Sequence, residues 1–572
     1  MSGGLIALRL FILQVKERAF WQALAANQHE IATALFPQRG EIFMQDLSRK
    51  TSTGAFGHFP AVVNKNGYLA YAVPKEVEKE TLDATALQLT SLLHIEEELL
   101  QKRLSKRGDP YEPIKHRLAD GEAEALRRLA LPGIYLGEEL WRYYSAQDLA
   151  ASITGFIGFD SETRKGLYGI ERQYETILAG KQGFLAAERD ALAGLLPFRI
   201  RTRIEPEDGA DLILTIDANI QFVAADKLRA VLKKWSAPSG SIIVLEPKTG
   251  RVLAMFSEPT YDPNEYNNIE DISRFQNPVI EHQFEPGSVF KPVTMAAGIE
   301  EGLVAPETTY TDTGEVRIGG YVVANFDGKA RGIQTMNQVI ELSLNTGAVF
   351  VQQRLGNARF AKYVKEFGFG EKAGIDLPGE LTGNITNLRQ KADINYATAS
   401  FGQGVGVTVL QMANAIAAIA NEGRLMQPYV VERIEHPDGR VATTTPQMIR
   451  QVISPKAART MTAMLVDAIR GKFEHRADIP GYFVAGKTGT AQIPDPKTGG
   501  YLPIPEGVIH SFVGYAPAFN PRFLVYIRMD RPQGVLFASN SLPPVFRDMA
   551  VYLLNYFAVP PDEPGETRTG NR

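Results

Sequence analysis

Apolar residues in the first 130 positions recur mostly at helical spacing within charged stretches. This spacing predicts helices over 10–34, 75–107 and 113–129, and weak alternation of apolar and polar residues over 68–73 predicts a strand. Charged helices of this kind usually present a solvated outer face, so we assign them no catalytic role. Nothing in the first 200 residues pairs a nucleophile with a base.

The pattern changes near residue 204, after which short apolar runs follow one another. Pro206-Glu207-Asp208-Gly209 is typical of a linker. The apolar run 212–217 predicts a strand, and its last residue, Asp217, is suited to cap a helix predicted over 218–235. The domain that follows this linker therefore begins with a strand and a capped helix.

Later apolar runs predict the remaining strands of this second domain. Two strands around Pro247-Lys248-Thr249-Gly250 predict a β-hairpin over 241–256, and hairpin strands are predicted again over 511–516 and 523–527. A long helical stretch separates the two groups. The pattern thus predicts a multidomain α+β protein whose C-terminal domain is an antiparallel sheet covered by helices.

Composition narrows the possible functions. At 572 residues the chain exceeds what one hydrophobic core usually supports, so two to four domains are expected. A net charge of −4 without a long basic run disfavours nucleic-acid binding. The absence of cysteine excludes disulfides, thiolate metal sites and a cysteine nucleophile.

The N-terminal stretch from Gly3 to Val15 is apolar except for Arg9 and Gln14. It is too short to span a bilayer, which needs about 20 apolar residues, and it lacks the features of a signal peptide. Three interpretations stay open: the end of a membrane helix, an interfacial helix, or the buried face of a soluble helix.

The first candidate for chemistry is the stretch Glu285-Pro286-Gly287-Ser288-Val289-Phe290-Lys291-Pro292. A turn leads into a helix, on which Ser288 and Lys291 share a face because they lie three residues apart. A lysine that burial and nearby cations keep neutral can act as base for a serine nucleophile. Taken alone, the pattern favours a serine that caps the helix and a solvated lysine one turn along over a catalytic pair.

Two further stretches carry candidate ligand-binding groups. In Ser343-Leu344-Asn345 the serine and the asparagine converge on one ligand only if they lie in a turn between helices. Lys487-Thr488-Gly489-Thr490 reads as a strand edge able to bind an extended peptide, with Gly489 leaving room and Lys487 attracting a carboxylate. Strict alternation places Lys487 and Thr488 on opposite faces, so a joint role requires a twist or bulge.

Ser-X-X-Lys, Ser-X-Asn and Lys-Thr-Gly in this order are the motif set of penicillin-binding proteins and serine β-lactamases. The chain resembles a class B penicillin-binding protein, a monofunctional peptidoglycan D,D-transpeptidase, and is similar to penicillin-binding protein 2. Arg39-Gly40-Glu41-Ile42 and residues 168–175 resemble the N-terminal pedestal of that family. The pedestal motif degenerates after Ile42, which leaves its local strand geometry in question.

The resemblance implies a division into four parts. These are a membrane-proximal helix over 1–35, a pedestal of the dimerisation type over 36–209 with a helical insert at about 75–129, a transpeptidase domain over 210–559 and a disordered tail over 560–572.

It also implies a role for each site residue. Ser288 is the acylated nucleophile, Lys291 its base, and Ser343 the relay to the leaving amine. Asn345 binds the donor-stem amide, and Lys487 holds the proton network and helps keep Lys291 neutral. The strand residues Thr488, Gly489 and Thr490 bind substrate, with the two threonines on its terminal carboxylate. The backbone amides of Ser288 and Thr490 form the oxyanion hole, and neither a cofactor nor a metal ion is implied.

The implied substrates are peptidoglycan stem peptides and the covalent inhibitors are β-lactams. The implied setting is the outer face of the cell membrane, with attachment through the N-terminal segment, beside a SEDS-type polymerase and other cell-wall synthesis proteins. The pedestal insert favours a role in elongation over division. The same motifs leave open a D,D-carboxypeptidase or a serine β-lactamase, and a non-catalytic scaffold is a further alternative that the intact motifs disfavour.

Overall fold

The computed structural model describes residues 30–50, 56–160, 163–189, 195–471, 474–505 and 507–563. One compact unit is formed by Val62–Ser145, and the described residues on either side of it form the other. The strands are β1 (Glu30–Leu35), β2 (Ile42–Lys50), β3 (Phe56–Ala72), β4 (Glu112–Leu118), β5 (Ile134–Tyr144), β6 (Ile157–Asp160), β7 (Thr163–Gly166), β8 (Gly183–Arg189), β9 (Leu195–Ile204), β10 (Asp211–Asp217), β11 (Ser239–Leu245), β12 (Val252–Glu258), β13 (Thr309–Asp312), β14 (Glu315–Ile318), β15 (Tyr321–Ala324), β16 (Gly332–Thr335), β17 (Arg424–Met426), β18 (Val431–Glu435), β19 (Val441–Thr443), β20 (Met448–Gln451), β21 (Ala485–Gln492), β22 (Val508–Ala516) and β23 (Phe523–Asp530).

The helices are α1 (Leu82–Leu93), α2 (Glu97–Leu104), α3 (Asp120–Leu129), α4 (Ala151–Thr154), α5 (Gly169–Gln173), α6 (Glu175–Leu178), α7 (Ala218–Lys234), α8 (Pro278–Glu281), α9 (Lys291–Glu300), α10 (Met336–Glu341), α11 (Asn345–Leu355), α12 (Asn357–Glu366), α13 (Asp393–Ala399), α14 (Val409–Ala420), α15 (Pro455–Arg470) and α16 (Pro543–Tyr556). A 3₁₀ turn, Gly287–Phe290, leads directly into α9.

The larger unit is built on a five-stranded antiparallel sheet in the order β12-β11-β23-β22-β21. Side chains of α7 and α16 pack with one face of this sheet in a core that includes Leu228, Val244, Phe512, Phe546 and Leu553. Every residue of α14 is buried, which requires neighbours on all sides of that helix. The predicted antiparallel sheet covered by helices is confirmed, as are the two predicted hairpins.

Local signals explain where the first helix of this unit begins. The carboxylate of Asp217 accepts hydrogen bonds from the backbone amides of Asn219 and Ile220, as the sequence predicts. The degenerate pedestal motif also keeps its strand, because β2 runs parallel to β10 with Ile42 opposite Leu212. Only glycine fits at position 40, since a Cβ there would lie 1.9 Å from the carbonyl oxygen of Ala210.

The two pedestal motifs meet in an ion cluster. The Arg39 guanidinium donates to Glu171 Oε2 at 2.8 Å and to Glu175 Oε2 at 2.6 Å, and Glu171 is fully buried. Tyr174, between these carboxylates in the chain, donates its hydroxyl hydrogen to Asp376 at 2.9 Å. Both pedestal motifs therefore help to hold the chain in position.

In the smaller unit, helices α1 to α3 accompany an antiparallel arrangement in which β3 pairs with both β4 and β5. Its apolar core includes Ala70, Leu89, Leu100, Ile114 and Leu126. The unit therefore has a hydrophobic core of its own.

Two helix predictions are wrong in part. The helix predicted over 113–129 is a strand in its first half, because Glu112–Leu118 pairs with β3, and only Asp120–Leu129 is helical. In the helix predicted over 10–34, residues from Glu30 form β1, paired with β8, and the rest lies outside the described residues. Tertiary pairing overrides helical spacing in both places.

The ends of the chain leave two predictions largely untested. Among the described residues, none of the helices is both long and apolar enough to cross a membrane. Most of the tail predicted over 560–572 also lies outside the description, although Asp562 accepts a hydrogen bond from the amide of Phe483.

Candidate active site

The nucleophile turn lies against the edge of the main sheet. Gly287, at φ +60°, donates its amide to the carbonyl of Gly402 at 3.0 Å. A Cβ on Gly287 would lie 3.1 Å from Cβ of Ala491, and a Cβ on Gly489 would lie 2.9 Å from the Pro286 carbonyl oxygen. The room left by Gly489 is therefore taken by this turn and not by a ligand, which corrects the role expected from the sequence.

Lys291 connects the first two motifs. Its Nζ lies 3.0 Å from Oγ of Ser288, 3.1 Å from Oγ of Ser343 and 2.5 Å from the carbonyl oxygen of Ser343. Helical spacing accounts for the first contact, and the loop between α10 and α11 supplies the other two. The nucleophile candidate and the relay candidate thus share one amine.

Burial decides the ionisation of this amine. Lys291 is 1% exposed, and burial lowers its pKa well below the usual lysine range; the charge of Lys487 lowers it further, while Glu474 acts in the opposite direction. The sequence predicts that burial and nearby cations together keep this lysine neutral, and in the structure burial is the larger of these two causes. A neutral Lys291 can accept a proton from the Ser288 hydroxyl.

Ser343 and Asn345 lie in the turn that the sequence requires for their convergence. Ser343 adopts a positive φ of 56°, and Asn345 begins α11. The Asn345 side-chain amide donates to the carbonyl of Ala324 at 2.9 Å. Buried Asn325 caps the same helix, since its Oδ1 accepts from the backbone amides of Asn345 at 2.9 Å and Thr346 at 3.3 Å.

The third motif contains a buried ion pair. Lys487 is 1% exposed and its ammonium group contacts the carboxylate of fully buried Glu474. The same carboxylate oxygen accepts from the Thr488 hydroxyl at 2.6 Å and from the Thr488 amide at 3.0 Å. Lys487 and Thr488 therefore share Glu474 as a partner. The register of β21 with β22 is regular, so of the twist or bulge that the sequence requires for a joint role, a bulge is not present in this strand.

The edge of β21 that is not paired with β22 faces the nucleophile turn. Thr488 donates its amide to Glu474, so this amide is directed away from the pairing with β22. Alternation along a strand places the amide of Thr490, two residues on, on the same edge. The Thr490 carbonyl oxygen would lie 3.2 Å from a Cβ at Gly287, which confirms that this edge meets the turn.

A cleft of about 780 Å³ joins the motifs. The predicted site residues that line it are Ser288, Ser343, Asn345, Lys487, Thr488 and Thr490. Lys291 lies beneath them in contact with Ser288. Aromatic and aliphatic side chains, among them Tyr321, Val322 and Phe537, form an apolar wall. Three motifs that lie between Ser288 and Thr490 in the sequence thus open into one cavity.

Sequence reasoning misses several groups that support the site. Glu474 and Asn325 lie outside every motif, and only the fold brings them to Lys487 and Asn345. Glu285 belongs to the first stretch, yet its pairing with the Gly404 amide at 2.9 Å and the Tyr501 hydroxyl at 3.0 Å is not visible in the pattern. Within the described ranges, no cluster of three or more candidate ligands could hold a metal ion.

The site combines a serine in contact with a buried amine, a strand edge with an outward amide, and a buried ammonium group. This arrangement is typical of a serine acyltransferase that recognises a carboxylate-bearing peptide.

Comparison with known proteins gives the family. Residues 240–550 match the penicillin binding protein transpeptidase domain, and residues 36–214 match the penicillin-binding protein dimerisation domain. The chain is 33% identical over 506 residues to stage V sporulation protein D of Bacillus subtilis, covering 87% of this chain and 75% of that protein. It is 28% identical over 590 residues to the peptidoglycan D,D-transpeptidase FtsI homolog of Mesostigma viride, covering 98% and 95% of the two chains.

A solved structure is also similar. Penicillin binding protein 3 of Mycobacterium tuberculosis, complexed with aztreonam, superposes with a TM-score of 0.69 at 25% identity, covering 93% of this chain and 99% of that one. The chain belongs to the class B penicillin-binding proteins. The predicted family, fold class and enzyme class, a serine-type transpeptidase, are confirmed.

Proposed function

We propose that this chain cross-links peptidoglycan stem peptides through an acyl-enzyme on Ser288. The observation that carries the proposal is the position of the buried Lys291 amine, 3.0 Å from Oγ of Ser288 and 3.1 Å from Oγ of Ser343. The relative named as a peptidoglycan D,D-transpeptidase supports the choice of substrate.

Acylation begins when Lys291, as the neutral amine, accepts the hydroxyl proton of Ser288. The Ser288 oxygen attacks the carbonyl carbon of the penultimate D-Ala residue and forms a tetrahedral oxyanion. This intermediate collapses with cleavage of the peptide bond, and the terminal D-Ala leaves after its nitrogen receives the proton from Lys291 through Ser343. An amine of a neighbouring stem peptide then attacks the acyl-enzyme, with the proton steps in reverse.

The oxyanion needs donors at the strand edge. The outward amide of Thr490 and the amide of Ser288, at the start of the 3₁₀ turn, are suited to this role. The nearby ammonium group of Lys487 attracts the terminal carboxylate of the donor, and Asn345 lies where it can contact the donor-stem amide. β-Lactams place a carboxylate and a strained amide in the same geometry and acylate the same serine.

The cellular setting is part of the proposal. We place the site on the outer face of the cell membrane, with attachment through the N-terminal segment and a SEDS-type polymerase as a partner, in elongation rather than division. The match of residues 36–214 to the dimerisation domain supports a role for the pedestal in such an assembly. Imaging a tagged copy tests the role, and a signal confined to the septum would refute elongation.

Labelling with a fluorescent penicillin tests the reaction. We expect covalent, long-lived label on the wild-type chain and none on Ser288→Ala, because the mechanism assigns the acyl group to Ser288 and only a proton-relay role to Ser343, the other hydroxyl in contact with Lys291. Label that persists in Ser288→Ala would refute the nucleophile, and turnover within seconds would favour a β-lactamase. Incubation with a stem peptide and an amine acceptor separates cross-linking from carboxypeptidase release, since only the former yields the joined peptide.

A further inference from the structure

Glu474 is a buried carboxylate dedicated to the third motif. It lies just before the 3₁₀ turn His475–Ala477 and is fully buried. Its Oε1 contacts the Lys487 ammonium and accepts from both the hydroxyl and the amide of Thr488. Within the part of the chain that the structure describes, all its side-chain hydrogen bonds go to these two residues.

The contact with Thr488 fixes the direction of a hydrogen bond. A threonine hydroxyl has a single hydrogen, and an ionised carboxylate only accepts. At 2.6 Å from Glu474 Oε1, the Thr488 hydroxyl therefore gives its hydrogen to Glu474 and offers only lone pairs to the cleft. A substrate carboxylate, which also only accepts, gains nothing from this hydroxyl.

Thr490 has the opposite polarity. Its Oγ1 accepts a hydrogen bond from the backbone amide of Ala538 at 3.0 Å. Its own hydrogen is left available, and the side chain lines the same cleft. The two threonines are thus not equivalent, although the sequence assigns both to the substrate carboxylate.

We propose that Glu474 is a positioning residue that holds Lys487 and takes the Thr488 hydrogen, so that Thr490 is the threonine donating to the terminal carboxylate of the substrate. This inference rests on the proposed acyl transfer. It assigns different tasks to two threonine hydroxyls that lie two residues apart in one strand, and it makes Glu474 act on the chemistry through Lys487.

The charge of Glu474 has a second consequence. Among the described residues, the ionisable groups that act on Lys291 are Lys487 and Glu474, and the Ser288 and Ser343 hydroxyls are in direct contact with it. Glu474 raises the pKa of Lys291 and so offsets part of the effect of Lys487. Removal of its negative charge favours the neutral amine.

The first experiment compares acylation by a penicillin with acylation by its methyl ester, which lacks the carboxylate charge. The ratio of the two rate constants isolates carboxylate recognition, because general damage to the site lowers both. We expect Thr490→Val to reduce this ratio about 10- to 100-fold, as loss of a hydrogen bond to a charged group does. Thr490→Ser should keep the ratio, and Thr488→Val should change it by less than about 3-fold.

An equal loss of the ratio in Thr488→Val and Thr490→Val would overturn the assignment. Failure of the proposed reaction would look different, because wild-type Ser288 would then take up no penicillin at all.

The second experiment follows the acylation rate against pH in Glu474→Gln. The acidic limb, where Lys291 becomes neutral, should move to lower pH, since the carboxylate no longer stabilises the ammonium form. Glu474→Asp keeps the charge and should move the limb less than Glu474→Gln does, even if its plateau rate falls. A merely structural residue would change the plateau and leave the limb in place, which would overturn the role of the charge.

Glu380→Gln is a matched control. Glu380 is also a buried carboxylate, and it accepts from the amides of Ala373 and Gly374 away from the motifs. We expect the acidic limb of the acylation rate in Glu380→Gln to lie at the same pH as in the wild type. If Glu474→Gln does not fold, Glu474→Asp and the threonine variants still decide the proposal.

Discussion

Lys291 and Lys487 are equally buried, at 1% exposure each, yet their surroundings make them different chemical groups. Lys291 contacts two hydroxyls and a carbonyl, and no carboxylate lies in hydrogen-bonding contact with it among the described residues. Lys487 contacts the carboxylate of Glu474. A buried amine without a countercharge favours the neutral form, whereas one in an ion pair favours the cation.

The comparison shows how one cleft can hold both a base and a cation. Burial lowers the pKa of Lys291, whereas Lys487 has a carboxylate in direct contact, and this one contact separates the roles of the two lysines. Because Glu474 also raises the pKa of Lys291, the two sites are coupled and should not be treated as independent.

Replacing the unpaired lysine should have the largest effect on rate. We expect Lys291→Met to slow acylation by penicillin about 10²- to 10⁴-fold, the usual contribution of a general base. Time-resolved labelling measures the rate, and thermal unfolding of the same variant serves as the control for folding. Acylation within about 3-fold of the wild-type rate would remove Lys291 from the mechanism.

Replacing the paired lysine should have the largest effect on stability. Lys487→Met leaves the buried carboxylate of Glu474 without its cation, so we expect a loss of about 3 to 5 kcal/mol in the free energy of unfolding. Lys291→Met strands no charge and should cost less. Slower acylation is also expected in Lys487→Met, through the loss of the proton network and the carboxylate attraction.

A double variant sharpens this second prediction. In Lys487→Met with Glu474→Gln no charge is stranded, so the double variant should be more stable than Lys487→Met alone. Chemical denaturation measures the cycle. Additive losses would show that the two side chains do not act as a pair.

The pH dependence of stability tests whether the pKa of Lys291 is lowered in the folded protein. Lys291 has a lowered pKa in the folded state, so between that value and about 10.4 the unfolded chain binds more protons. Stability linked to Lys291 should therefore rise with pH across this window, with a slope of at most about 1.4 kcal/mol per unit. The slope should be smaller in Lys291→Met, and an unchanged slope would show that the amine is not depressed.

Parts of this site follow from the sequence and parts do not. The Ser288 to Lys291 spacing predicts the contact between their side chains, because a helix fixes the geometry of residues three apart. The cap at Asp217 and the hairpins follow from equally local rules. Glu474 cannot be found this way, because its place beneath Lys487 depends on how the chain before β21 packs against that strand.

Dependence on tertiary packing also explains why the first half of the helix predicted over 113–129 is a strand. Residues 113–118 carry apolar positions that suit either period, and pairing with β3 decides for a strand. The role expected of Gly489 fails for a related reason. A glycine in a strand indicates close approach, but the sequence does not say whether a ligand or the chain itself approaches.

The smallest predicted effect concerns Glu285, a half-buried carboxylate near the nucleophile. Glu285 accepts from the Tyr501 hydroxyl and the Gly404 amide, and burial raises its pKa. Both donors are neutral, so Glu285 resembles Lys291 in lacking an ion-pair partner within the described chain. Tyr501→Phe removes one of the two bonds and should lower the free energy of unfolding by about 1 kcal/mol.

A matched control is Tyr111→Phe, at an exposed tyrosine whose hydroxyl has no hydrogen bond among the described residues, where we expect a change within about 0.5 kcal/mol. Because Glu285 is three residues before Ser288, the loss of its donor should also alter acylation slightly, without moving the acidic limb that Lys291 sets. A shifted limb in Tyr501→Phe would mean that Glu285 also influences the charge of Lys291, and the contrast between the two lysines would then involve both carboxylates.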